Sequence, residues 1–242
     1  MRRAVRWLIE TLTASLCYAK RGIQVTPIAG GPDGRVKVNL GCGLAVAKGW
    51  INVDASLNAL IASWPAVFHR VLYRLSGANR YYSLSDYCAL LQHHTYVHRD
   101  LSYGLPFPDH SADFLYCSHF LEHLSRPDAR RLLRESYRVL KSGGTLRICV
   151  PDLAYALSLY EKGDAKTMLA NYFFVEDLDS SMARHRYMYD YALLEEALRD
   201  SGFSSVTRRK YREGTTPDLE TLDNRPEETL FAEATKPVTT QS

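Results

Sequence analysis

The sequence predicts an α/β fold built on a mostly parallel sheet, with helices on both faces and the last strand antiparallel. Short apolar runs alternate with helical patterns through most of the chain, which implies a parallel sheet covered on both sides. A strand runs into a Gly-x-Gly turn at Val38-Asn-Leu-Gly-Cys-Gly43, and a second strand follows almost at once at Trp50–Val53. Two more strands come late with only a loop between them, so the final pair needs no crossover helix and can lie antiparallel at one edge.

The elements follow in chain order. Residues 1–22 carry Arg2, Arg3, Arg6, Lys20 and Arg21 against Glu10, a local charge of +4, with Val5, Leu8, Leu12 and Leu16 at helical spacing beside Trp7. Glu10 and the interleaved Thr and Ser residues break any apolar core of a signal peptide. Two readings stand: a helix packed on the domain, or an interfacial helix on an anionic membrane. Pro27–Gly34 reads as a linker, so residues 1–35 form an N-terminal helix and linker and residues 36–236 the main domain. Residues 57–95 hold Trp64, Tyr73, Tyr81, Tyr82 and Tyr87 and few strand signals, and read as a helical insertion, suited to a lid or simply to core.

Tyr96–His98 and Phe114–Cys117 read as strands, and 126–141 as a helix entered by Pro127 and closed by Gly143-Gly144. Thr145–Val150 is the next strand, followed by helices at 152–162 and 165–174. Asp190 caps a helix over 191–200 that stops at Gly202, and Phe203–Arg208 and Leu230–Ala234 are the last strands. Residues 237–242 read as a disordered tail.

Bulk properties exclude several classes. At 242 residues, 46% apolar and 24% charged, the chain can bury one substantial core, and a net charge of +3 is too small to imply nucleic acid. The five cysteines are scattered and never form Cys-x-x-Cys, which suits a reducing, cytoplasmic compartment rather than a disulfide framework or zinc site. No apolar run approaches the length of a bilayer span.

The glycine turn followed by an acid-tipped strand, Gly49-Trp-Ile-Asn-Val-Asp54, is the grammar of a nucleoside-like cofactor site, with Asp54 placed for ribose hydroxyls. A dinucleotide site is disfavoured. Val46 stands where its third glycine belongs, and nine residues (41–49) leave no room for the full helix before the acid.

Five segments in this order resemble the class I S-adenosylmethionine-dependent methyltransferases: Val38–Gly43, Gly49–Asp54, Asp100-Leu-Ser-Tyr-Gly-Leu-Pro-Phe-Pro-Asp109, Phe120-Leu-Glu-His-Leu124 and Tyr137-Arg-Val-Leu-Lys-Ser-Gly-Gly144. The resemblance spans roughly residues 36–235 and is to a short-loop branch of predicted bacterial methyltransferases, linked to surface glycan or secondary metabolism. It implies a Rossmann-like seven-stranded sheet with a reversed last strand, and S-adenosylmethionine as cofactor. Gly41, Cys42 (through its backbone) and Gly43 would line the methionine end, and Asp54 would accept from the ribose. Asp100 would face the adenine amino group with Leu101 beside the ring, and Ser118 and His119 would lie near the sulfonium. The short first crossover and Ala45 near the missing glycine depart from the family pattern, so a helix dipole at the turn is not expected.

The resemblance implies methyl transfer by in-line displacement, without metal. Base candidates are His119, His123 and His185, with Tyr187, Tyr189 and Asp190 nearby; His119 and His185 lead. His123, in a segment common to methyltransferases of unrelated substrate, reads as structural, and Asp190 as a helix cap. His93-His94 with His98 lacks a supporting thiol or carboxylate cluster and reads as no metal site. The Asn/Asp-Pro-Pro-aromatic turn of nucleic-acid amino-methylating enzymes is replaced by Cys117-Ser-His-Phe120, and no basic-aromatic stripe is present. A small-molecule or glycan acceptor, methylated at oxygen, is therefore expected. The alternatives are a non-catalytic scaffold of the same fold, and a membrane-associated lipid or quinone methyltransferase held by residues 1–22 on the inner face.

Overall fold

The computed structural model describes residues 2–27, 33–174 and 184–238. Expectations for the side chains of Arg2, Arg3 and Arg6, for the middle of the Pro27–Gly34 linker and for residues 239–242 lie outside the described residues. Seven strands are formed: β1 (Lys37–Leu40), β2 (Ile51–Asp54), β3 (Thr95–His98), β4 (Ala112–Ser118), β5 (Leu140–Pro151), β6 (Ser205–Arg209) and β7 (Thr229–Thr235). They lie in the order β3-β2-β1-β4-β5-β7-β6, with β1 to β5 parallel and β7 antiparallel to both its neighbours. The chain winds outward from β1 to β3, then returns to continue on the other side of β1 with β4. That reversal places a crevice at the carboxyl ends of β1 and β4, where open α/β sheets bind ligands.

As expected, the final pair lies at one edge, with β7 antiparallel between β5 and β6. Strand β5 begins at Leu140 rather than Thr145. Leu140 already pairs with Ala112, and the register then shifts so that Phe114 pairs with Thr145. The Gly143-Gly144 pair thus sits inside the strand as a bulge. Gly143 takes φ +77°, and a Cβ at Gly144 would lie 3.1 Å from the Asp113 carbonyl oxygen.

The short β1–β2 connection is fixed by side chains instead of a helix. Asn39 and Asn52 stand on neighbouring strands and are both buried. Asn39 donates to the Ala45 carbonyl at 2.8 Å and to the Asn52 side-chain oxygen at 3.1 Å, and Asn52 donates to the Trp50 and Thr95 carbonyls at 3.1 Å. Buried amides of this kind must be satisfied, and satisfying them pins the loop.

The two faces of the sheet are covered differently. Leu115 and Cys117, Ile148 and Val150, and Leu230 and Ala232 enter one core with Leu132 and Leu133 of α5 (Arg126–Val139) and Leu194 and Leu198 of α8 (Tyr191–Asp200). Ser125 caps α5 by accepting from the Asp128 amide at 3.3 Å, and Pro127 sits in its first turn, where no backbone donor is missed. On the other face Trp50, Tyr116, Cys149 and Phe231 pack with Ala47 of the glycine loop, the short α9 (Leu219–Leu222) and Tyr211 of the β6–β7 segment.

Between β2 and β3 lie α2 (Leu57–Ile61), α3 (Ala66–Leu72) and α4 (Leu84–His93), around Ile61, Tyr87 and Leu91. Tyr73 and Tyr82 pack on this cluster while Tyr81 and Trp64 stay exposed. At the amino end, α1 (Arg2–Lys20) buries Thr13 and Cys17, the latter with its sulfur 3.4 Å from His98 Nε2. The chain is tied again where the Val25 amide donates to the Pro106 carbonyl at 2.6 Å. The packed-helix reading therefore describes the second half of α1, whereas Trp7, Leu8 and Leu12 remain exposed. After β5 come α6 (Leu153–Glu161) and α7 (Ala165–Met168), and the expected helix over 165–174 ends in a π turn, Leu169–Phe173.

Candidate functional site

A cavity of about 390 Å³ opens at the carboxyl ends of β1 and β4. The glycine turn forms one wall, with Gly41 at φ +65° and Gly43 at φ +52°. A Cβ at Gly41 would overlap the Phe120 ring, whereas one at Gly43 would meet nothing within 4 Å. Gly41 is thus fixed by packing, and Gly43 faces the open space. Cys42 shares the wall, but its side chain is buried, and burial pushes the thiol well above its ordinary pKa. A protonated, buried thiol leaves the backbone as its contribution.

Asp54 is oriented before any ligand arrives. One carboxylate oxygen accepts the Gly43 amide at 2.9 Å and the other accepts the Ser56 amide at 2.8 Å. Each oxygen retains a lone pair for a hydroxyl donor. Asp100 accepts the Ser102 amide at 2.9 Å and caps the turn that follows β3. Leu101, expected beside a bound ring, directs its side chain into the main core. Asp54, Asp100 and Leu101 are not among the cavity's lining residues, which lie toward β4.

The opposite wall is Tyr116, Ser118 and His119 from the end of β4, joined by Asn224 and Arg225. The last two come from the β6–β7 segment and carry no motif that sequence reading would single out. Ser118 Oγ and Asn224 Oδ1 are buried without a hydrogen-bond partner. An unsatisfied hydroxyl, an unsatisfied amide oxygen that calls for a donor, and one arginine suit a polar ligand that carries both a hydrogen-bond donor and a negative group.

His119 occupies the left-handed region at φ +48°, a conformation that non-glycine residues adopt only where the surroundings impose it. Its Nε2 lies 3.1 Å from the Thr229 hydroxyl, and its buried Nδ1 has no hydrogen-bond partner. Glu122 follows in the next turn, 1% exposed, and neither of its carboxylate oxygens accepts a hydrogen bond. Its main chain holds the segment carrying His185, because the Glu122 carbonyl accepts the Arg186 and Tyr187 amides at 2.7 and 3.2 Å. His185 then packs against His123 in a tilted ring contact with centroids 5.1 Å apart. Burial lowers the His185 pKa and favours its neutral form.

The structure therefore brings the two leading base candidates to one carboxylate and adds His123, which the sequence read as structural. Tyr187 and Tyr189 pair with each other at 5.0 Å, and both line a separate, smaller cleft with Arg126 between α5 and α8. Asp190 caps α8 by accepting the Leu193 amide at 2.8 Å, as expected. His98 is engaged with Cys17 and the Ala55 carbonyl. It makes no metal-ligating group with His93 and His94 among the described residues.

Residues 67–148 match the family model described as a methyltransferase domain. No curated protein matches the chain. Among solved structures, an S-adenosylmethionine-dependent methyltransferase from Archaeoglobus fulgidus shares 17% identity over 96% of this chain and 94% of its own, with a TM-score of 0.50. The apo S-adenosylmethionine-dependent methyltransferase SibL shares 19% over 85% of this chain and 52% of its own, also at 0.50. An S-adenosylmethionine-dependent methyltransferase from Mesorhizobium loti shares 19% over 87% and 93%, at 0.48. The two likenesses at a TM-score of 0.50 show the fold, and the domain match falls on the stretch from α3 through β4 to β5, which builds the His119 wall. The chain is thus similar to a methyltransferase domain over residues 67–148 and carries the fold of S-adenosylmethionine-dependent methyltransferases of known structure.

Proposed function

We propose that this chain is an S-adenosylmethionine-dependent methyltransferase that acts on an oxygen of a small-molecule or glycan acceptor presented at the His119 wall. The observation that carries the reading is that the Gly41–Gly43 turn and His119 face one cavity, with Ser118, Asn224 and Arg225 around it. In this reading the glycine turn and Cys42 backbone hold the methionine end, and Arg225 pairs with its carboxylate. Asp54 takes the ribose hydroxyls, Asp100 takes the adenine amino group, and Leu101 backs the ring from the core. When bound, S-adenosylmethionine supplies an electrophilic methyl group on a sulfonium.

What the chain adds is position. An acceptor oxygen held about 3–3.5 Å from the methyl carbon, in line with the bond that breaks, gains several kcal/mol from orientation alone. His119 takes the acceptor proton, worth roughly 10²–10⁴-fold, and His185 completes the imidazole cluster beside it. Supporting the acceptor class, β4 ends in Cys117-Ser-His-Phe120 instead of a nucleic-acid amino-methylation turn.

The test is calorimetric titration with S-adenosylmethionine. Binding is expected for the full chain, weakened at least about tenfold (about 1.4 kcal/mol) in Asp54→Ala. His119→Ala should keep cofactor affinity and lose turnover. Absence of binding at millimolar ligand would overturn the reading.

A second reading is favoured by the exposed Trp7, Leu8 and Leu12 on α1: peripheral contact with an anionic membrane on its cytoplasmic side. Flotation with anionic vesicles should carry the full chain up, and a Trp7→Ser/Leu8→Ser/Leu12→Ser variant should stay behind. Failure of the unaltered chain to float removes this reading.

A further inference from the structure

We propose that Glu122, His123 and His185 form a binding site for a divalent first-row transition-metal ion of the zinc class, with His119 at its edge. One ligand atom from each of the three residues lies within 4.8 Å of the others. Glu122 Oε1 stands 3.7 Å from His123 Nε2 and 3.6 Å from His119 Nδ1. Those separations are too long for hydrogen bonds. They are close to the edge of a tetrahedron around one ion, about 3.4 Å for ligand atoms at roughly 2.1 Å.

The hydrogen bonds on the far side of each ring point the same way. His123 Nδ1 lies 3.2 Å from the Arg184 carbonyl and His185 Nδ1 lies 2.8 Å from the Tyr172 carbonyl. A carbonyl only accepts, so each Nδ1 carries the proton and the neutral ring keeps its lone pair on Nε2. A backbone carbonyl behind each ligating imidazole is the usual outer support of a metal site.

Glu122 is the independent sign of a ligand. Its carboxylate is almost wholly withdrawn from solvent and accepts no hydrogen bond, although burial of such a group demands compensation. His119 Nδ1 and His123 Nε2 face it at 3.6 and 3.7 Å, too far to donate, and His185 stands in the same group. A cation between them resolves all these groups at once. Two imidazoles with one carboxylate is a donor set for zinc, cobalt or iron rather than magnesium, and three protein ligands leave a position open. Resting on the function proposed above, that open position takes the acceptor oxygen and lowers its pKa, while His119 remains to receive the proton.

The test uses the full chain stripped with a chelator and dialysed, then titrated with Co²⁺ by visible absorption and with Zn²⁺ by calorimetry. One equivalent should bind, with the strong visible bands of low-coordinate cobalt. His185→Ala and His123→Ala should each weaken binding by roughly 10–100-fold or more, and Glu122→Gln likewise. His94→Ala serves as the unaltered control, and thermal unfolding of each variant shows that it is folded. His123 lies nearest the surface and keeps the test decisive if Glu122→Gln does not fold. No binding at about 100 μM metal, or binding unchanged in folded His185→Ala and His123→Ala, overturns the site. The same samples are titrated with S-adenosylmethionine. Cofactor binding without metal binding removes this site and leaves the methyltransferase reading intact, and metal binding without cofactor binding does the reverse.

Discussion

Two residues apart in the sequence, Gly41 and Gly43 look equivalent, and the structure gives them different work. Both hold positive φ, so alanine at either costs about 1–2 kcal/mol in backbone strain. At Gly41 the new methyl also meets the Phe120 ring, and overpacking of this kind adds about 1–3 kcal/mol. At Gly43 it meets only the cavity. Gly41→Ala is therefore expected to lower the urea midpoint distinctly more than Gly43→Ala, and Phe120→Ala should recover part of the Gly41 loss. Gly43→Ala should instead weaken S-adenosylmethionine binding in a nearly normal fold. Equal losses of stability in both single variants would refute the distinction. At this scale the sequence showed the motif residues and hid their neighbours. Asp54 and the glycines sit in one short segment, and their roles follow from strand ends. Glu122 and His185 are more than sixty positions apart, and nothing in the composition of either segment says that the Glu122 carbonyl holds Arg186.

Among elements, the strands were legible because their physics is local. Alternation in Val36–Leu40, the apolar run Trp50–Val53 and the Pro-Asp stop after Val150 each reflect burial on a pleated surface. The early start of β5 was not legible, because Gly143-Gly144 reads as a helix stop when only the helix is in view. The structure shows what else those glycines answer to: the Gly143 amide donates to the Lys236 carbonyl and the Lys236 amide to the Gly144 carbonyl, each at 3.0 Å, which pairs the bulge with the end of β7. That contact joins residues nearly a hundred positions apart. The π turn at Leu169–Phe173 was hidden for a like reason, since a helical pattern over 165–174 does not reveal that the Tyr172 carbonyl will be used by His185. Residues 57–95 carry α2, α3 and α4 together with Trp64, Tyr73, Tyr81, Tyr82 and Tyr87. Their packing, with Leu44 of the glycine loop against the Ile61–Tyr87–Leu91 cluster, needed the fold.

Across the whole molecule, the face of the sheet that lacks long helices is held by charge, and this links global stability to the cavity. Arg147, fully buried on β5, donates through Nε to Asp223 at 3.0 Å and through its two terminal nitrogens to the Glu213 and Lys210 carbonyls at 3.0 and 3.1 Å. Asp223 also accepts the Arg212 amide at 2.8 Å and the Tyr116 hydroxyl at 3.2 Å. Glu233 on β7 accepts the Thr215 and Thr216 amides, each at 2.9 Å, and Arg209 at 3.0 Å. Together these bonds fasten residues 210–224 over the sheet and set Asn224 and Arg225 at the cavity mouth. Removing one partner of a buried pair leaves the other charge uncompensated, typically at about 3–5 kcal/mol, whereas replacing both by apolar groups is far milder. Arg147→Met should therefore destabilise by roughly that amount, and Arg147→Met/Asp223→Leu by clearly less than the two single losses together, measured by urea unfolding. Because Tyr116, Asn224 and Arg225 line the cavity, Arg147→Met should also weaken S-adenosylmethionine binding, by roughly tenfold (about 1.4 kcal/mol), in samples shown to be folded. A variant that loses stability but binds the cofactor with unchanged affinity would mean that the β6–β7 segment covers the sheet without serving the site.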